Sequence, residues 1–293
     1  MILGLSLAAV PPADLGEAAA LAEQAGLDFV RLGDPSSLDE GPVGADPLSL
    51  AAFLMTTTRR IGLVSCVGDD WAPFNVARAL ASFDLLSGGR CGWVAMRAPG
   101  AETARSEEHL DVVLQLFDSW EDEALVFDKA ESIFADRTKV HRIRHAGAYY
   151  TVDGPLNAPR PPQGRPVLFQ PIVDAGAEAD IVLTGIGDLD PQTRIRAGHA
   201  RLVAAAPVNL GPSSTDAPDA LAERLASAFH NRLCDGFLLT PADPAIDIPL
   251  LVEAVVPLLR AKGVMTPSHG ERDFRTRLGL ARPANRFAGQ VGP

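Results

Sequence analysis

Eight short apolar runs alternate with amphipathic stretches along this chain, a pattern that parallel strands covered by helices satisfy. The runs are residues 2–10, 28–33, 61–67, 91–96, 166–172, 180–184, 201–208 and 236–240. Residues 2–10 are continuously apolar, as a strand buried on both faces requires. The helical stretches are residues 13–25, 46–60, 73–86, 102–120, 217–232 and 248–262. In the first, Leu15, Ala18, Ala19, Ala22 and Ala25 share one stripe that ends at Gly26. In the second, Asp46 is expected to cap, Pro47 suits the first turn, and Arg59 and Arg60 complement the C-terminal dipole. In the third, Ala77, Leu80, Ala81 and Leu85 are the expected buried stripe. There Asp84 and Arg90 are expected to tie the helix end to the turn at Ser87-Gly88-Gly89.

Eight such strands in order predict an α/β fold, a (β/α)8 barrel formed as one domain over residues 1–293. An open doubly wound sheet is the alternative. Its dinucleotide fingerprint is missing, because Gly185-Ile186-Gly187 follows a strand without a third glycine to open a helix. With 293 residues, 47% of them hydrophobic, the chain can bury a barrel core. Residues 173–179 are too few for a crossover helix, so a turn is expected there. Residues 124–165 are an insertion of hairpin character between the fourth helix and the fifth strand. The tail, residues 281–293, is expected to be partly ordered at best.

The net charge of −11, from 26 basic and 37 acidic residues, disfavours nucleic acid and anionic membranes as partners. No apolar run is long enough to cross a bilayer, and the N-terminal run lacks a basic lead-in, so it reads as a buried strand rather than a signal peptide. Cys66, Cys91 and Cys234 are widely spaced in apolar surroundings, as reduced core thiols of a cytoplasmic protein are.

Few residues suggest chemistry directly. His141 and His145 stand four apart but are flanked by Arg142 and Arg144 without a carboxylate or cysteine set, so no metal site is expected. His109, His199, His230 and His269 read as surface or capping residues. Asp69-Asp70-Trp71 reads as a turn whose carboxylate caps the helix opened by Pro73, with ligand stacking on Trp71 as the alternative. Arg97 can bind an oxyanion, or pair internally with Asp34 or Asp69.

Five segments carry a resemblance to a known family. They are residues 118–167, residues 46–63, residues 77–93, Cys234-Asp235-Gly236-Phe237-Leu238-Leu239, and Leu278-Gly279-Leu280-Ala281-Arg282-Pro283-Ala284-Asn285-Arg286. Together they resemble the bacterial-luciferase-like flavin monooxygenases, in the branch of the nitrilotriacetate, alkane and dibenzothiophene-sulfone monooxygenases. The resemblance implies reduced FMN supplied by a separate flavin reductase, dioxygen, and a small organic substrate oxidised at the C-terminal ends of the strands. It also implies a homodimer through the second and third helices, whose Ala51, Ala52, Ala79 and Ala81 permit close packing.

Carried over position by position, the resemblance implies flavin contacts at Asp34, Val67, Gly68, Trp93, Arg97, Gln170 and Asp174. Several of these depart from the family. Residues 93–97, Trp-Val-Ala-Met-Arg, lack the Asn and Thr that the family has there, and Asp174 stands where the family puts a Ser on the phosphate. The loops at residues 99–103 and 209–216 are cut down. Two functions follow from the resemblance: an FMN-dependent monooxygenase, or a degenerate partner of an active homologue with weak or no flavin binding.

Overall fold

The eight expected strands all form and close on one another. The computed structural model describes residues 1–33, 45–212, 217–265 and 273–288. Its first half runs β1 (Ile2–Ser6), α1 (Leu15–Gln24), β2 (Phe29–Leu32), α2 (Pro47–Leu54), β3 (Gly62–Gly68), α3 (Pro73–Ser87), β4 (Cys91–Met96) and α4 (Thr103–Asp118). The insertion contributes β5 (Leu125–Asp128), β6 (Ile133–Ala135), β7 (His145–Ala146) and β8 (Thr151–Val152). Then follow β9 (Val167–Pro171), β10 (Ile181–Gly185), α5 (Pro191–Arg196), β11 (Arg201–Val208), α6 (Pro218–His230), β12 (Gly236–Pro241), α7 (Pro244–Leu250), α8 (Val256–Ala261) and α9 (Phe274–Arg277). The closed order is β1-β12-β11-β10-β9-β4-β3-β2, with every pairing parallel: a (β/α)8 barrel.

Side chains alternate across each strand, and the two faces bury different things. Phe29, Val64, Cys66, Val94, Phe169, Leu183 and Leu238 fill the cylinder, whereas Val67, Trp93, Leu168 and Val182 pack outward under the helices. At the N-terminal end Phe274 of α9 plugs the cylinder, its ring 6.1 Å from Phe29 and 6.4 Å from Phe169.

Several boundaries differ from expectation for identifiable reasons. Helix α2 stops at Leu54 rather than reaching Arg60, because Thr56, Thr57 and Thr58 turn their hydroxyls back onto the carbonyls of Phe53 and Leu54. Arg59 and Arg60 therefore do not complement that helix. Their backbone N–H groups, with that of Ile61, donate to the Glu23 carboxylate at 2.6 to 3.1 Å. The Asp46 cap forms as expected, accepting from Ser49 at 2.7 Å. Leu85 is exposed rather than buried, and Asp84 does not pair with Arg90. Arg90 reaches Thr58 and Ser87, while Asp84 accepts from the Cys91 N–H and the Gln163 side chain. Burial pushes the Asp84 carboxyl up to about 6 against those donors. The short link after β9 carries no helix, as its length required.

Burial raises the Glu23 carboxyl, but the N–H donors of Ile61, Arg60 and Arg59 outweigh it and hold it below the usual 4.5. A depressed carboxyl stabilises the fold above its unfolded value and loses that contribution as pH falls through its folded value. Glu23→Gln is therefore expected to lower stability by about 1–2 kcal/mol near neutral pH, with the gap shrinking towards about pH 4. Urea midpoints at both pH values measure it. An equal gap at both would count against this assignment.

The insertion is pinned by carboxylates. Glu108 on α4 accepts from the Ala148, Tyr149 and Tyr150 backbone N–H groups and from His145 Nε2 at 3.0 Å. His141 bonds Glu121 at 2.7 Å and stacks on Phe287. The two histidines thus serve separate carboxylates. The tail is better anchored than expected through residue 288: Arg282 forks onto Asp122 at 2.6 Å, and Asn285 donates to the Asp118 and Trp120 carbonyls.

Candidate functional site

The C-terminal ends of β3, β4 and β9 and the exposed flank of α4 enclose a groove of about 290 Å³. It exists because the link from β9 to β10 has no helix to lie beside α4. Val67, Gly68, Trp93, Arg97, Gln170 and Asp174 all line it, so the structure brings together six of the residues singled out in the sequence. Asp34, the seventh, lies outside the described residues. Val67, Trp93 and Gln170 do not line the barrel mouth, because the twofold alternation that points Cys66, Val94 and Phe169 inward points them outward.

The groove is crossed by an ion pair. The Arg97 guanidinium meets the Asp174 carboxylate and donates to Thr103 Oγ1 at 2.6 Å. Arg97 pairs internally with Asp174, and among the described residues it makes no pair with Asp69; the expected alternative, Asp34, lies outside the described residues. Gln170 fixes Asp174 in place: its amide donates to the Asp174 carbonyl at 3.1 Å and accepts from the Gly176 N–H at 3.2 Å. Trp93 is fully buried, and its indole N–H has no hydrogen-bond partner.

Asp69 is buried and does not cap α3. It accepts from the Ala98 N–H at 2.8 Å and from the Ser106 hydroxyl, and so holds the turn between β4 and α4. Trp71 is exposed, and its carbonyl accepts from His109 Nε2 at 2.9 Å. His109 is therefore a buried core residue rather than a surface one. Burial lowers its imidazole below the ordinary 6.5, against the pull of that carbonyl. His269 lies outside the described residues. All three cysteines are buried, and burial pushes the Cys91 thiol well up and that of Cys234 up to about 11. Neither Cys91 nor Cys234 is poised as a nucleophile.

Sequence reasoning missed the α4 wall of the groove. Thr103, Ser106, Glu107, Leu110, Asp111 and Leu114 all line it. Their spacing of three and four is a helical stripe that could have been read from the sequence.

The family model described as "Luciferase-like monooxygenase" matches residues 3–184, more than half of the chain. The chain belongs to the luciferase-like monooxygenase family. Over 283 residues it is 34% identical to one of the two pristinamycin IIA synthase subunits of Streptomyces pristinaespiralis, covering 95% of this chain and 94% of that protein. The other subunit of the same synthase is 33% identical over 142 residues, covering 43% of this chain and 29% of its own length. Two further curated relatives are spanned over only 41% and 33% of their lengths. Among solved structures, EDTA monooxygenase (EmoA) from Chelativorans sp. BNC1 shares the fold, with a TM-score of 0.78 at 22% identity over 96% of this chain and 99% of that one.

Members of this family work with flavin, and the described groove suits a flavin phosphate poorly. Asp69, Glu107, Asp111, Asp174 and Glu178 line it; Arg105, Arg286 and Arg165 reach Asp69, Asp111 and Glu178 from outside, Glu107 has no ion pair among the described residues, and the one guanidinium in the lining is that of Arg97. That guanidinium is already neutralised by Asp174. A phosphate dianion brought to about 4 Å from one uncompensated carboxylate charge meets repulsion of roughly 1 kcal/mol per charge in water and about 4 at an effective dielectric of 20. Among the described residues, no helix is long and apolar enough to cross a membrane, and no group of three His, Cys, Asp or Glu is placed to hold a metal ion.

Proposed function

We propose that this chain is the shorter member of a two-chain, reduced-FMN-dependent monooxygenase whose longer luciferase-like partner holds the flavin. The observation that carries it is the Arg97–Asp174 pair, which occupies the groove's cation. The similarity to one chain of a two-subunit synthase, over nearly the full length of both proteins, supports the same reading. On this reading a separate flavin reductase supplies reduced FMN, and the flavin with dioxygen oxidises a small organic substrate. This chain's part is to dock against and brace the active partner. Phe53 on α2 and Leu85 and Leu86 on α3 are exposed apolar side chains available for that docking. Ala52 and Ala79 there allow close approach, whereas Ala51 and Ala81 are buried against the chain's own barrel.

The test titrates FMN against the purified chain, alone and with a co-expressed longer family member, reading flavin fluorescence and complex mass. Alone, the chain is expected to bind FMN no tighter than about 1 mM, and the mixture to form an unequal pair. Asp174→Asn, which frees Arg97, is expected to strengthen FMN binding roughly tenfold. Micromolar FMN binding by the unaltered chain would overturn the proposal. It would favour the second reading, an FMN-binding homodimer, which has in its support a groove at the strand ends where barrel enzymes carry their chemistry.

A further inference from the structure

Solvent reaches a definite depth inside the cylinder. Arg31, Cys66, Met96 and Leu183 face inward in one layer and keep 7 to 8% of their surface exposed. One layer below, Phe29, Val64, Val94 and Phe169 retain 1% or less. Above, the inward-facing Pro171, Gly185, Ala205 and Thr240 are half-buried. The layer of Arg31 is therefore the floor of the barrel mouth. Arg31, Cys66 and Leu183 do not line the groove of Arg97 and Asp174, whereas Met96 borders both.

Among the described residues that floor holds one charge. Arg31 Nη2 donates to Ser6 Oγ at 3.0 Å on the neighbouring strand β1, and Arg31 Nε has no hydrogen-bond partner. Arg31 forms no ion pair among the described residues, and none of the eight barrel strands contains an Asp or Glu. A guanidinium held this way is costly, since burial of a charge is offset only by a counter-charge with good geometry. Nε is shut off from solvent, so the Nη edge, which gives one of its N–H donors to Ser6, is the edge that can meet a carboxylate. Around it Met96 and Leu183 offer apolar surface to whatever the carboxylate is attached to.

We infer that the barrel mouth is a binding site for a small organic carboxylate, gripped by Arg31 and resting its apolar body on Met96 and Leu183. A single negative charge matches the single guanidinium. A phosphate dianion would leave net charge on an apolar floor, so inorganic phosphate is the discriminating control. The site does not depend on the two-chain reading, because neither Arg97 nor Asp174 takes part in it.

The experiment uses the purified full chain with octanoate as probe and 1-octanol and inorganic phosphate as controls, followed by calorimetry and thermal unfolding. Octanoate is expected to bind and raise the unfolding temperature, with octanol and phosphate at least roughly tenfold weaker. Arg31→Met is expected to weaken octanoate roughly 10- to 100-fold while leaving the unliganded chain as stable as before or more so. Arg31→Lys, which keeps the charge but not the fork, is expected to fall between. Equal binding of octanol and octanoate, unchanged octanoate affinity in Arg31→Met, or no binding of octanoate by the unaltered chain would each overturn the proposal. A marked loss of unliganded stability in Arg31→Met would also overturn it, by showing that Arg31 is satisfied within the fold.

Discussion

Asp118→Ala is expected to lower the unfolding free energy by about 3–5 kcal/mol, the range for removing one partner of a buried ion pair. Asp118 ends α4 and is fully buried, with Arg160, Arg165 and Arg286 around it at 3.0 to 3.3 Å. The Arg160 side chain is itself 2% exposed, and Asp122 reaches only its other nitrogen. Removing Asp118 leaves that guanidinium half-compensated away from water, and the cost is set by the stranded charge more than by the lost contact. The three arginines come from the end of the insertion and from the tail, so the variant is also expected to expose both to protease. Urea unfolding with limited proteolysis measures it. Arg142→Ala, which breaks an exposed pair with Asp153, is the control and is expected to cost less than about 0.5 kcal/mol. A loss below about 1 kcal/mol for Asp118→Ala would mean that the cluster is hydrated and contributes little.

Phe274→Ala is expected to cost about 3–5 kcal/mol, as large-to-small changes in a rigid core do. The ring fills the cylinder against Phe29 and Phe169, which are themselves 5.2 Å apart, and the helix carrying it is tied by the Phe274 N–H to the Gly89 carbonyl at 2.8 Å. The strands around it are cut away to receive it. A Cβ on Gly62 would stand 2.5 Å from the Phe274 ring, and one on Gly4 would stand 2.3 Å from Phe29. Gly62→Ala is therefore expected to destabilise by overpacking where Phe274→Ala destabilises by emptying, and each by more than an average core change. Denaturant midpoints at constant slope separate the two from any change in the unfolded state. If Phe274→Ala cost under about 1.5 kcal/mol, the cylinder would have to collapse onto the gap, which closed strands resist.

The elements differ in how far they were readable. Strands β4 and β11 match their expected bounds, because continuous apolar runs flanked by turn residues leave few other choices. The missing helix after β9 followed from chain length alone. Helix α9 was not anticipated: Phe274–Arg277 is too short for a periodic pattern, and its role depends on reaching the far end of the barrel. Helix α5 was missed for the same reason, despite its Asp190 cap. In the site, Gln170 and Asp174 were singled out from the resemblance, yet their joint role in holding one turn emerges only from the hydrogen bonds between them.

Local patterning by itself determined the eight strands, their parallel sense and the barrel class, because strand and helix periodicities are properties of neighbouring residues. Tertiary structure alone decided which wall each residue faces and which charges meet. Arg97 and Asp174 stand 77 residues apart in the chain, and only closure of the cylinder brings β4 beside β9 so that one neutralises the other. The same closure leaves Arg31 inside with a hydroxyl for company. Long-range pairing of charges depends on geometry that no stretch of adjacent residues encodes.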